Sequence, residues 1–246
     1  MKKFFFLSIV VFLVASVCVS QVTDISVLQE VDSNGYPTHF GTNYTIRGII
    51  TTTNMDGFSL QFFMEDSTGG IQIYSNGNSA WYDNKSLAVG ADLTITGDVG
   101  FYNGTLELIP SAEGDLTNNG TGTLPTPQTI TIDDLQDEAD SFALRGELVK
   151  LEDVYMTTGS DSWPSSGNNA NLTIAIGSDS GTPTSIMRID KDFDCDENSE
   201  PTWPQTVTAI FTQYDSTSPY KQSFQITPTA YADFSPYSSV SDWDLY

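Results

Sequence analysis

From about residue 40 to residue 110, apolar side chains recur at every second position in short runs separated by Gly, Asn, Asp and Pro. A two-residue period of this kind marks strands with one face turned inward and one outward. The alternation predicts strands over Tyr44–Thr52, Ser59–Asp66, Ile71–Tyr74, Leu93–Gly100 and Thr105–Pro110. Ser67-Thr68-Gly69-Gly70 turns the second into the third, and Trp81–Ala88 is a short helix or a loop. Asn103-Gly104 reads as a two-residue hairpin turn, because both residues tolerate positive φ. Alternation then points Leu60, Phe62, Met64, Ile71, Ile73, Leu93, Ile95, Leu106 and Leu108 into one core.

The same pattern returns about a hundred residues later. Ile46-Arg47-Gly48 opens the first stretch and Leu144-Arg145-Gly146 the second. Phe101-Tyr102-Asn103-Gly104 with Leu106-Glu107-Leu108-Ile109-Pro110 closes the first. Thr212-Gln213-Tyr214-Asp215 with Phe224-Gln225-Ile226-Thr227-Pro228 closes the second. The second stretch predicts strands over Phe142–Met156, Asn171–Ile176, Ser185–Ile189, Thr206–Tyr214 and Ser223–Thr227, with Asp133 capping a short helical turn ahead of them. A diverged duplication at this spacing means two small β-modules, and the repeated residues belong to strands and turns rather than to reaction chemistry.

Five strands with a helical or irregular link between the third and fourth is the order of an OB-fold, a small closed Greek-key barrel. An immunoglobulin-like sandwich is the alternative, but it wants about seven evenly spaced strands, which the long Tyr74–Leu93 interval does not provide. The expectation is an all-β protein of two tandem OB-fold-like Greek-key barrels behind an N-terminal signal peptide. Its parts would be a signal at 1–20, a first barrel at 21–116, a linker at 117–128, a second barrel at 129–236 and a tail at 237–246. The linker assignment rests on the Asn, Gly, Thr and two prolines of Thr117–Gln128, which show no apolar period.

Three segments carry a family resemblance: Phe62–Ile71 (FFMEDSTGGI), Val89–Val99 (VGADLTITGDV) and Tyr102-Asn103-Gly104, together with the Arg-Gly strand. These resemble the tandem OB-like modules of exported bacterial proteins, which occur beside secreted nucleases and in Bacteroidetes-type surface proteins. The resemblance spans most of residues 40–236 and is closer in the first module. In the second, Ala209 stands where Gly97 would be. The resemblance implies an OB fold and an exported location, with an accessory or binding role.

Composition sharpens this. Lys2 and Lys3 precede an apolar run from Phe4 to Val19, followed by small residues, the layout of a secretory signal cleaved near Ser20. A retained anchor and lipidation at Cys18 are the alternatives, and no later segment is apolar enough to span a bilayer. Without the signal, 7 of the 9 basic residues remain against 32 acidic ones, a formal charge of −25. Such a field repels phosphate backbones and attracts cations. Cys195 is then the sole cysteine, so the chain forms no internal disulfide.

An OB barrel usually binds on the face of its second and third strands, rimmed by the loops beside them. This directs attention to Phe63, Tyr74, Trp81, Tyr82 and Tyr102 as stacking surfaces, with Arg47 as a neighbouring cation. The bland alternative has Trp81 and Tyr82 plugging the barrel mouth, and Phe63 and Tyr74 packing on the other module. Asp190, Asp192, Asp194 and Asp196 are hard oxygen ligands suited to calcium. An ordinary solvated acidic loop is the competing explanation, since Glu197 fills the place where an EF-hand loop needs glycine. No other cofactor is expected.

Catalytic chemistry has little to stand on. His39 is the only histidine, Cys195 has acidic neighbours that blunt a thiol, and carboxylate pairs carry no information in a chain this acidic. The sequence therefore reads as an exported, non-catalytic binding or adaptor protein, secreted, periplasmic or on the cell surface. Oligosaccharide or a protein partner suits the acidic surface best. Single-stranded nucleic acid is the alternative, as is a purely structural surface role. Oligomeric state is left open.

Overall fold

The computed structural model describes residues 21–136 and 138–238; the expected signal peptide, Cys18 and the end of the tail lie outside them. A short helix α1 (Ile25–Leu28) leads into β1 (Asn43–Ile50), β2 (Leu60–Glu65) and β3 (Gly70–Ser75). Helix α2 (Ala80–Asn84) then links to β4 (Ala91–Tyr102) and β5 (Thr105–Ile109). The pairing order β1-β2-β3-β5-β4 closes through β4 on β1, and β3 runs parallel to β5. This is the five-stranded Greek-key barrel expected. All nine residues assigned inward by alternation are buried in its core, with Tyr82 and Leu87 from the α2 region completing it.

The next segment corrects the linker. Residues 116–121 form strand β6 (Leu116–Thr121), which pairs with β4 and places Thr117 opposite Thr94. Its composition is loop-like because it is a largely exposed edge strand that buries only Leu116. Only 122–127 then separate the two sheets, the second opening with β7 (Gln128–Thr129).

A second correction follows. The long strand expected over Phe142–Met156 is a helix, α3 (Glu138–Leu144), then a turn, then β8 (Leu148–Met156). Gly146 makes the break: its φ of +81° ends the helix, and its backbone packs against Gly70 of the first barrel. The chain continues through β9 (Ala170–Ile176), β10 (Ser185–Ile189), β11 (Gln205–Gln213) and β12 (Phe224–Thr227). These close as β8-β9-β10-β12-β11 with β11 returning to β8, and β13 (Phe234–Pro236) adds an edge strand to β11.

The registers align the two barrels residue by residue. Phe62 faces Ile73 as Leu172 faces Met187; Ile73 lies beside Leu108 as Met187 lies beside Ile226. Val99 faces Leu108 as Phe211 faces Ile226, so Ala209 does occupy the place of Gly97. The Arg-Gly pair is different. Asn43 faces Asp98 as Leu148 faces Ile210, which makes Glu152 the counterpart of Arg47, while Arg145 precedes its barrel. The registers also expose a match that alternation did not signal. Ser111-Ala112-Glu113-Gly114-Asp115 before β6 corresponds to Thr229-Ala230-Tyr231-Ala232-Asp233 before β13. In each, the aspartate accepts two backbone N–H bonds, from Ser111 and Ala112 or from Thr229 and Ala230.

The barrels are joined by a tight seam. Phe63 packs with Leu148 and Ile210, and the Glu65 carboxylate accepts the Leu148 N–H at 2.7 Å. Gln29 donates to both Gly70 O and Arg145 O. The buried Arg145 guanidinium returns bonds to Gln29 O and Gly104 O and lies 4.7 Å over the Phe142 ring. No helix among the described residues is long and apolar enough to cross a membrane.

Candidate ligand groove between the barrels

Above this seam the two barrels enclose an open groove of about 420 Å³, a size typical of small-ligand sites. Its first wall is the outward face of β2 and β3, represented by Gln61, Phe63 and Gln72. Its second wall is the corresponding face of the other barrel, with Asn171 on β9, Arg188 on β10 and Gln225 on β12. The usual OB binding faces of both modules thus look into one space. Alternation explains it: Gln61, Phe63 and Glu65 share one side of β2, so the stripe that lines the groove at one end forms the seam at the other.

Two pairs of groove residues occupy equivalent places in the repeat. Gln61 precedes Phe62 as Asn171 precedes Leu172, and Tyr102 follows Val99 by three positions as Tyr214 follows Phe211. Both tyrosines stand on hairpins, and the hairpins are bonded to each other. Asn103 O accepts the Asp215 N–H at 2.6 Å, and Thr105 Oγ1 donates to Gln213 O at 2.9 Å. Tyr102 is 61% exposed and Tyr214 57%, so both rings are presented to solvent rather than spent on packing.

Of the residues singled out in the sequence, the groove gathers Phe63, Tyr102 and Asp190. Phe63 is only 3% exposed and serves mainly the seam. Tyr74, half-buried opposite Gln61, is not among the lining residues. Tyr82 belongs to the barrel plug: its hydroxyl donates to Thr52 O, its ring meets Phe62 edge-on at 5.6 Å, and burial pushes its pKa up to about 12. Trp81 packs beside it against the same core. Arg47 lies on β1, where Asp92 grips it in a bidentate pair at 2.8 and 2.6 Å. That pair holds the Asp92 carboxyl below its ordinary range.

The acidic run is dispersed. Asp190 Oδ2 lies 3.5 Å from Arg188, Asp192 pairs with Lys191, Asp194 accepts the Tyr231 N–H and Asp196 that of Gly167. Among the described residues, no three His, Cys, Asp or Glu side chains come together to hold a metal ion. Cys195 is buried, and desolvation with nearby Asp194, Asp233 and Asp196 pushes its thiol up to about 12. His39 is engaged by Tyr44 and Glu30, outside the groove.

Arg188, Asn171, Tyr214, Gln61, Gln72 and Gln225 were absent from the candidates drawn from sequence. Tyr214 carried a signal, since it sits in the quoted repeat opposite Tyr102. The amides became visible only through the registers.

No family model matches the chain. It is 29% identical over 207 residues to Endonuclease YhcR of Bacillus subtilis (strain 168). The match takes in 83% of this chain and 16% of that protein, so the chain spans about a sixth of its relative's length. Among solved structures, the p204 HINb domain aligns with a TM-score of 0.38 and 14% identity, covering 77% of this chain and 94% of that one. The Ifi202 HINa domain in complex with 20bp dsDNA aligns with a TM-score of 0.35 and 9% identity, covering 74% and 90%. At these values the structural likenesses carry no argument about ligand or activity. The chain is an all-β protein of two OB-like barrels, with sequence similarity to part of an endonuclease.

Proposed function

We propose that this chain is an exported, non-catalytic module that holds single-stranded nucleic acid in the groove between its barrels and serves catalysis located elsewhere. The carrying observation is the convergence of equivalent positions, Gln61 with Asn171 and Tyr102 with Tyr214, on one groove. Exposed tyrosines suit base stacking, worth about 1–3 kcal/mol per base, and carboxamides suit hydrogen bonds to base edges. The partial similarity to a protein named an endonuclease supports the same class. The formal charge of −23 opposes phosphate, so recognition here runs through the bases.

Oligosaccharide is the second reading, favoured by the same amides and tyrosines and indifferent to the acidic surface. The test is titration of the mature protein with single-stranded DNA and with a panel of neutral oligosaccharides, followed by calorimetry. Saturable DNA binding that weakens at least about fivefold in Tyr214→Ala supports the proposal, that being the low end of one lost stacked base. Saturation by a sugar and none by DNA overturns it in favour of the second reading.

A further inference from the structure

Resting on the nucleic-acid reading, we infer that the groove takes one dinucleotide step: a ring on each of Tyr102 and Tyr214, and the single phosphodiester between them on Arg188. Among the described residues, Arg188 is the one cation lining the groove, and Asp190 the one anion. The guanidinium has five N–H donors. Two are engaged, one with Asn171 Oδ1 at 3.2 Å and one only loosely with Asp190 Oδ2 at 3.5 Å. A phosphate oxygen has donors to take there, and Asn171 fixes the head that offers them. Arg47 also has two donors engaged, but there Asp92 meets its charge in two short bonds, and it lies outside the groove.

The length of the footprint follows from what surrounds the groove. Beyond it, a longer strand meets an acidic surface on which Arg47, Lys150 and Lys191 are each already paired with a carboxylate. Among the described residues, neither Lys85 nor Lys221 lines the groove, so phosphates beyond the first meet no further groove cation and a long strand gains little over a short one. The volume of about 420 Å³ fits a short ligand rather than a track. The hairpins that carry Tyr102 and Tyr214 are hydrogen-bonded to each other, and both tyrosines line the same groove.

The experiment is calorimetric titration with thymidylates of one, two, three, four and eight nucleotides over a range of salt. Wild type, Arg188→Gln and Arg188→Lys are compared after their unfolding temperatures are matched. Affinity should rise about fivefold or more from one nucleotide to two, the gain of a second stacked base, and then level off. The slope of log K against log salt should be about −0.7, the value for one neutralised phosphate on a single strand. Arg188→Gln should flatten the slope and Arg188→Lys keep it. Affinity climbing with every added nucleotide, or a slope several times steeper, overturns the footprint while leaving the nucleic-acid reading standing. An unchanged slope in Arg188→Gln overturns the role of Arg188. Absence of binding at every length overturns the nucleic-acid reading itself, and the footprint with it.

Discussion

Replacing Glu65 by Gln should stabilise this protein at alkaline pH and leave it unchanged in acid. Glu65 is 6% exposed in the seam between the barrels, where its carboxylate accepts the Leu148 N–H. Desolvation, with the negative charges of Glu147 and Asp66, pushes its pKa from the ordinary 4.5 up to about 7, against the pull of that hydrogen bond. A carboxyl raised on folding binds more protons folded than unfolded, so its contribution is neutral below pH 4.5 and increasingly unfavourable as pH rises to 7. The rise from 4.5 to about 7 corresponds to at most about 3.4 kcal/mol, which solvent at the rim of the seam reduces to about 1–3 kcal/mol. Glutamine keeps an acceptor for Leu148 and removes the charge. Burial likewise pushes Glu107 up to about 7 and raises Glu147 and Asp233, so four carboxyls lower wild-type stability as pH rises above the ordinary carboxylate range. Asp32, Asp56 and Asp92 are held low by hydrogen bonds and act in the opposite sense, only below the ordinary carboxylate range. Urea unfolding followed by tryptophan fluorescence on both sides of this interval measures the effect. Equal loss of stability in Glu65→Gln in acid and alkali would refute the reasoning, as would wild-type stability that climbs from pH 4.5 to 7.

Three further outcomes follow from the packing. Gly70→Ala should break the seam, because a Cβ there enters the backbone of Gly146, and neither partner is a flexible side chain; limited proteolysis should then release separate barrels or find an unfolded chain. Tyr82→Ala should cost about 3–5 kcal/mol, as large aromatic deletions do in cores, without the specific loss of ligand affinity expected of a stacking residue in folded protein. Arg47→Gln should leave ligand affinity and its salt slope unchanged, since Asp92 already neutralises the side chain away from the groove; a large loss in the titration would place the ligand on β1 instead.

The barrels were legible because their core is written in alternation. Nine inward positions follow a period of two and all are buried in one cluster. The edge strand β6 was not, since it buries only Leu116 and its exposed Thr and Asn residues carry no apolar period. Alternation also continued through Phe142–Leu144 into a false strand, where the decisive fact is the positive φ of Gly146 against Gly70. The groove was legible in kind but not in membership. Tyr102 was found from its hairpin, whereas Gln61, Asn171 and Arg188 are ordinary polar residues on outward strand faces. Their significance comes from the second barrel standing opposite, which is set by seam contacts such as Glu65 with Leu148. Trp81 and Tyr82 show the reverse: aromatic residues in the link between strands draw attention, yet here they close the barrel.

The most direct test of the shared groove is a double-mutant cycle on Tyr102→Ala and Tyr214→Ala, read as affinity for a short single-stranded oligonucleotide. One ligand spanning both hairpins predicts that each change weakens binding by about 1–3 kcal/mol and that the two are coupled by at least about 0.5 kcal/mol. Losses from one tyrosine alone, with the other silent, would contradict the groove and confine binding to a single barrel.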